Sequence, residues 1–308
     1  MSTGDRLAGR LTEDQLIALQ LFRERAFRTA NLFRKNRSAM LGLAVVVTVI
    51  AMALLAPFLA PYDPDARFRA EDTDQILSLE PPSLAHPMGT DYLGRDILSR
   101  WVYGSQVSIM VGLISGLVVI SIGSTVGLLS GYYKGLFDQI AMRIVDVLYG
   151  IPSVVLILLI AMFWGNSVWN LIIAMALVLW RTEARVIRSQ TLSISERPFV
   201  KAAKATGASD LRVIFIHIMP NILPLIMVEG TFVMGSAILT EAGISFLGLG
   251  ANQMISWGVM LNLTFSTGAI THAWWWVLPP GLSITFLVVS FFYISRGLEE
   301  VTNPELER

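Results

Sequence analysis

Uncharged hydrophobic stretches, each followed by a segment rich in charge, set the pattern of this chain. A bilayer core of about 30 Å takes roughly 20 apolar residues of helix. Ala39–Ala60 and Val107–Tyr132 fit that length without a charge, and Trp274–Ile294 closes the series. A third run, Ile140–Trp164, holds Arg143 and Asp146 near its start and Pro152 inside. The fourth apolar core, Val168–Trp180, is short and needs either a tilted continuation through Thr182–Ile187 or burial among other helices. The fifth, Ile218–Leu239, is interrupted by Pro220, Pro224 and Glu229. The pattern predicts an all-α integral membrane protein with six transmembrane helices. Lipid-facing strands would instead alternate polar and apolar positions.

Charge fixes the predicted orientation. With the N- and C-termini in the cytoplasm, 19 Lys and Arg residues lie inside and four outside, and the outer segment carries eight acids. The expected layout is a cytoplasmic amphipathic segment over 1–38, a first span over 39–60 and an extracytoplasmic loop over 61–106. A transmembrane domain over 107–297 follows, with a cytoplasmic loop at 190–217, then a cytoplasmic tail over 298–308. Residues 1–38 are too long and too charged for a signal peptide. Thr12 and Gln15 fit a capping box. Leu16, Leu19, Phe22, Ala26, Ala30 and Phe33 then recur at helical spacing, which suits a helix lying on the inner membrane surface or packing against a partner subunit.

Composition narrows the chemistry. In 308 residues, 54% are hydrophobic and 15% charged, with no net charge, so nothing favours nucleic acid. There is no cysteine, which excludes thiolate catalysis and Cys-ligated metals. His86, His217 and His272 lack metal-ligand spacing, and Asp63, Asp65, Asp72 and Asp74 lack a calcium-loop pattern, so they read as solvated loop charges. No Gly-x4-Gly-Lys-Ser/Thr string exists, so ATP binding by this chain is not expected. An intramembrane serine protease would need Gly-x-Ser-Gly, whereas Gly243-Ile-Ser245 is followed by Phe246. A channel would show a repeated filter, and none repeats.

Several residues stand out. Glu229 and Glu241 lie in or just beyond span five, where a carboxylate either faces a translocation path or makes a buried structural hydrogen bond. Arg143 and Asp146 are spaced to pair on one helix. Gly112, Gly116, Gly123, Gly127 and Gly131 form a stripe for close helix packing. Trp274–Trp276 suit an aromatic belt at the outer interface, with sugar stacking as the alternative.

The loop Glu196–Pro220 predicts a short helix opened by Pro198, a left-handed stop at Gly207, and a second helix capped by Ser209 or Asp210. Ala202, Ala203 and Ala205 give the first helix a flat face bordered by Lys201 and Lys204. Ala202-Ala203, Gly207 and Ile218-Met219-Pro220 resemble the Glu-Ala-Ala loop of ABC-importer permeases, with Lys201 where that family usually has Glu. Ala56–Pro64, Pro81-Pro-Ser83, His86–Asp96, Ser99-Arg100, Tyr103-Gly104, Thr240–Gly250 and Ser256-Trp-Gly258 resemble the C-type subunit of dipeptide/oligopeptide permeases.

The resemblance covers roughly residues 30–308 and implies a type I ABC-importer permease architecture. It implies that Lys201, Ala202, Ala203, Gly207, Asp210 and Pro220 belong to a loop coupling the permease to separate ATPase subunits, which hold ATP and Mg. This chain would then carry no cofactor, metal or catalytic residue of its own. The implied partners are a homologous second permease subunit, two ATPases, an extracytoplasmic solute-binding protein and membrane lipid, in the cell membrane of a prokaryote. Di- and oligopeptides are the implied substrates. The ending Ser295–Pro304 also resembles relatives that import short oligosaccharides, which stand as the alternative.

Overall fold

A computed structural model of the chain describes residues 31–70, 74–165, 167–250 and 254–302. The expected capping box at Thr12, most of the N-terminal amphipathic helix, Asp72 and the end of the tail lie outside the described residues. Those described are helical or in loops, with isolated antiparallel bridges pairing Arg69 with Ile76 and Thr90 with Asp96.

The first apolar run forms α1 (Arg37–Leu54) and a single turn, α2 (Ala56–Leu59). Asn36 caps α1 by accepting from the Ala39 amide at 2.9 Å. The break falls at Leu55 because Pro57 has no N–H and its ring crowds the carbonyl four residues back. A long helix, α3 (Ile97–Tyr133), begins well upstream of the expected Val107, since Asp96 caps it from the loop by accepting from the Ser99 amide at 2.7 Å. At 37 residues it measures about 55 Å, more than a bilayer core.

The third run is not one straight helix. Helices α4 (Gly135–Tyr149) and α5 (Ser153–Trp164) meet at 92°. Pro152 forces the bend, because it cannot donate and pushes Ile151 out of helical geometry. The fourth run continues as α6 (Val168–Ser195), and burial among other helices is what sustains it: Ala174, Met175, Val178, Ala184 and Ile187 are fully buried. Its charged half leans on α4. Arg181 donates to the Leu148 carbonyl, Arg185 pairs with Asp146 at 2.9 Å, and Arg188 grips Asp138. Asp146 therefore crosses to α6 instead of pairing with Arg143 along its own helix.

A short helix, α7 (Pro198–Ala205), precedes α8, which runs from Asp210 to Phe246 with a π-type turn over Val213–Ile218. Pro220 and Pro224 do not stop it. The wide turn immediately upstream relieves the clash that Pro220 would make with the preceding carbonyls. After α9 (Trp257–Ser266), α10 (Trp274–Thr302) completes the fold. Among the described residues, α1, α3, α8 and α10 are long and apolar enough to cross a membrane, and the bent α4–α5 pair makes five. Helix α6 carries too many charges to join them on composition.

The glycine stripe organises the centre and serves two partners in succession. A Cβ at Gly116 would lie 2.5 Å from Met234 of α8, and one at Gly127 or Gly131 would lie 2.6 Å from Ala184 or Thr191 of α6. Trp276 departs from the expected aromatic belt: it is fully buried and stacks on Tyr92 at 5.9 Å, leaving Trp274 as the exposed ring.

Gly127→Val should destabilise the chain by about 1–3 kcal/mol through overpacking against α6 backbone. A Cβ added at Gly243 would meet no heavy atom within 4 Å, so Gly243→Ala should be neutral or stabilising by up to about 1 kcal/mol. Denaturation in detergent, followed by helical circular dichroism, measures both.

Candidate coupling site and acidic interior

At the far end of α3 from the 61–96 loop, α7 forms an exposed elbow. Pro198 occupies its first turn, where the missing N–H costs nothing. Its end is a complete Schellman turn: the Gly207 amide donates to the Lys204 carbonyl at 3.0 Å and the Ala208 amide to the Ala203 carbonyl at 3.1 Å. Gly207 sits at φ +85°, which a side chain would disfavour. Ala202 and Ala205 are exposed and Ala203 is half-buried, so the flat face is centred on Ala202 and Ala205. On the opposite side Val200 is fully buried among Leu128, Ile187, Ile214 and Ile218 and seats the elbow in the bundle.

Two polar latches fasten this elbow to the end of α3. Glu196 accepts from Lys134 at 2.6 Å and from Lys201 at 3.0 Å. These two ammonium groups, Lys134 first, hold the Glu196 carboxyl at about 2, well below the usual carboxylate range. The second latch joins Tyr132, whose hydroxyl donates to Asp210 at 2.6 Å, while the Lys204 ammonium lies 4.2 Å from the Tyr132 ring centre. Lys201 thus has an internal partner that a Glu at its position would repel. Pro220 lies just past the wide turn of α8. Sequence reasoning missed Tyr132, Lys134 and the role of Glu196, because each pairs across more than sixty positions.

The two expected path carboxylates separate. Glu241 is buried, accepts from Ser245 at 2.7 Å and interacts with Ser256, tying α8 to the start of α9. Its Oε2 atom has no partner. Glu229 is half-buried and faces Glu183 of α6, which sequence reasoning passed over within the span-four continuation. Glu183 is buried against Gly123, and its Oε2 atom is likewise unpaired. A Glu in the continuation just beyond so short an apolar run was the signal available for it.

At the opposite end, the 61–96 loop is tied down by buried charge. Asp96 accepts from the Ser99 amide and hydroxyl, each at 2.7 Å, and from His86 Nδ1 at 2.9 Å. Asp91 accepts from the Arg95 guanidinium at 2.7 Å. Asp65 is not merely solvated, since it takes the Arg100 guanidinium at 2.8 Å. Among the described residues no group of three or more His, Asp or Glu is placed to hold a metal ion.

Comparison with known proteins gives two family matches. Residues 123–308 match the family described as binding-protein-dependent transport system inner membrane component. Residues 26–82 match the N-terminal TM domain of oligopeptide transport permease C. The chain is 38% identical to a dipeptide transport system permease protein of Alkalihalophilus pseudofirmus, covering 96% of this chain and 93% of that one. It is 36% identical to a glutathione transport system permease protein of Pectobacterium atrosepticum (95% and 97%) and 35% identical to an oligopeptide transport system permease protein of Bacillus subtilis (90% and 88%).

Gly207→Ala should cost about 1–2 kcal/mol locally, because it places a Cβ in the left-handed region. Hydrogen exchange at the Gly207 and Ala208 amides should accelerate while α3 amides stay protected.

Proposed function

The chain belongs to the family of binding-protein-dependent transport system inner membrane components, and from that premise we propose that it forms half of the translocation path of an ABC importer for di- and oligopeptides. Peptides are favoured over oligosaccharides because relatives covering nearly all of the chain carry dipeptide, oligopeptide and glutathione in their names. In this reading α6 and the bent α4–α5 pair complete six spans in a prokaryotic cell membrane. The basic excess supports a cytoplasmic position for both termini and the α7 elbow. The 61–96 loop then faces outward, toward a solute-binding protein. A homologous permease supplies the other half of the path, and lipid surrounds both.

The observation that carries this reading is the elbow itself: a short helix with a flat alanine face outward, a buried valine inward and a capped end. Such a face suits the groove of a separate ATPase, where ATP and Mg reside. Closure of two ATPases pushes on α7, and the Glu196 and Tyr132 latches pass that push into α3, α6 and α8. ATP shifts the equilibrium only because inward- and outward-open states contact the ATPases differently. Glu183 and Glu229 are the path-facing candidates, and Glu241 serves as a brace.

Ala202→Asp tests the docking. It buries an unpaired charge against the ATPase, a penalty of about 3–5 kcal/mol, so peptide-stimulated ATP hydrolysis and uptake by reconstituted proteoliposomes should fall by about 100-fold or more. Ala202→Ser should retain both. Undiminished coupling in Ala202→Asp would place the ATPase elsewhere.

A further inference from the structure

Described residues of the 61–96 loop, the start of α3 and the α8–α9 region line a half-open cleft of about 480 Å³ at the end of the molecule opposite the elbow. One wall holds Asp65, Arg95 and Arg100, and the α8–α9 side brings the apolar Ile255, Val259 and Leu263 together with Ser245 and Asn262. Its size falls within the range of small-molecule sites, about 300–1,000 Å³.

The charges on the polar wall are unequally secured. Arg100 is only 3% exposed, and its Nε–H has no hydrogen-bond partner. Of the two carboxylates that neutralise the arginines, Asp91 is fully buried and belongs to Arg95, and it stands 3.9 Å from Arg100 Nε. The other, Asp65, has a 72% exposed side chain, yet it lies 2.8 Å from Arg100 and 3.8 Å from Arg95. The pair is therefore buried on the side of Arg100, which also donates to the Pro64 carbonyl at 3.0 Å, and open to solvent on the Asp65 side, so the carboxylate is the member that another anion can replace. Without Asp65, the wall presents two guanidinium groups against one buried acid and carries a net positive charge. Guanidinium forks suit a carboxylate.

We propose that this cleft receives the C-terminal carboxylate of a short peptide on Arg95 and Arg100, with Asp65 occupying that place in the empty protein. The apolar residues of the α8–α9 side then take the side chain next to the carboxylate. The inference rests on the peptide-importer reading above and adds a station within this chain, separate from any selection made by a binding protein.

The test uses the assembled permease–ATPase complex in nanodiscs without binding protein, probed by saturation-transfer NMR with alanyl-phenylalanine and with its C-terminal amide. The acid should bind, and the amide should bind about tenfold more weakly or worse. Asp65→Asn removes the competing carboxylate while leaving the buried Asp91–Arg95 pair, so the acid should bind about threefold tighter and the amide unchanged. Equal binding of acid and amide, no binding of either, or an unaltered or weaker affinity in Asp65→Asn would overturn the proposal. Uptake separates the two levels. If binding-protein-driven import of the dipeptide persists while acid and amide bind alike, only the carboxylate station fails. If no peptide is imported and an oligosaccharide is, the peptide reading fails with it.

Discussion

Close approach of helix backbones along α3 is the constraint on which the rest of the structure depends. In lipid there is little hydrophobic drive between helices, so packing must come from shape, and small residues permit it. The stripe from Gly112 to Gly131 lets α8 settle against the first half of α3 and α6 against the second. Because α3 also starts from the 61–96 loop and ends beside the elbow, one helix joins the two ends of the molecule. Tyr132 and Lys134 tie one end of this rod to the elbow, and Asp96 caps the other.

Charge inside the bundle follows from the same packing. The charged half of α6 would be intolerable toward lipid, yet against α4 each of its arginines finds an acid or a carbonyl. Burial of Glu183 follows from its position opposite Gly123. The short apolar run at Val168–Trp180 is thus a consequence of where α6 sits, not a defect of a span. Glu183, facing Glu229, is among the buried polar groups that structural pairing does not fully absorb, as is Glu241.

Local signals in the chain foretell the local structure well. Pro198, Ala202 and Gly207 spell out a short helix with a left-handed stop, and the glycine spacing foretells a packing stripe. How remote segments pair is not written in such signals. Spacing alone pairs Asp146 with Arg143, three positions away, whereas Asp146 meets Arg185 across two helices. Position alone makes Trp276 an interfacial anchor, but Tyr92 in the 61–96 loop offers it a ring to stack on and draws it into the core. Proline in span five suggests an interruption, whereas a π-type turn accommodates it, a solution that leaves no mark in residue type. The loop string His86–Asp96 is legible in the sequence only as a family likeness. Its physical sense, a buried aspartate gripping a histidine and a helix start, emerges only in three dimensions.

The absence of native cysteine makes one measurement decisive. A single cysteine at Ala202, in the complex with the second permease and the ATPases, is treated with a short bifunctional cross-linker with and without ATP. The expected result is an adduct of this chain with an ATPase subunit whose yield changes on ATP binding, together with protection of that cysteine from membrane-impermeant reagents in intact cells. Ready labelling from outside the cell, with no ATPase adduct, would contradict the assignment of the elbow as the point where the motor takes hold.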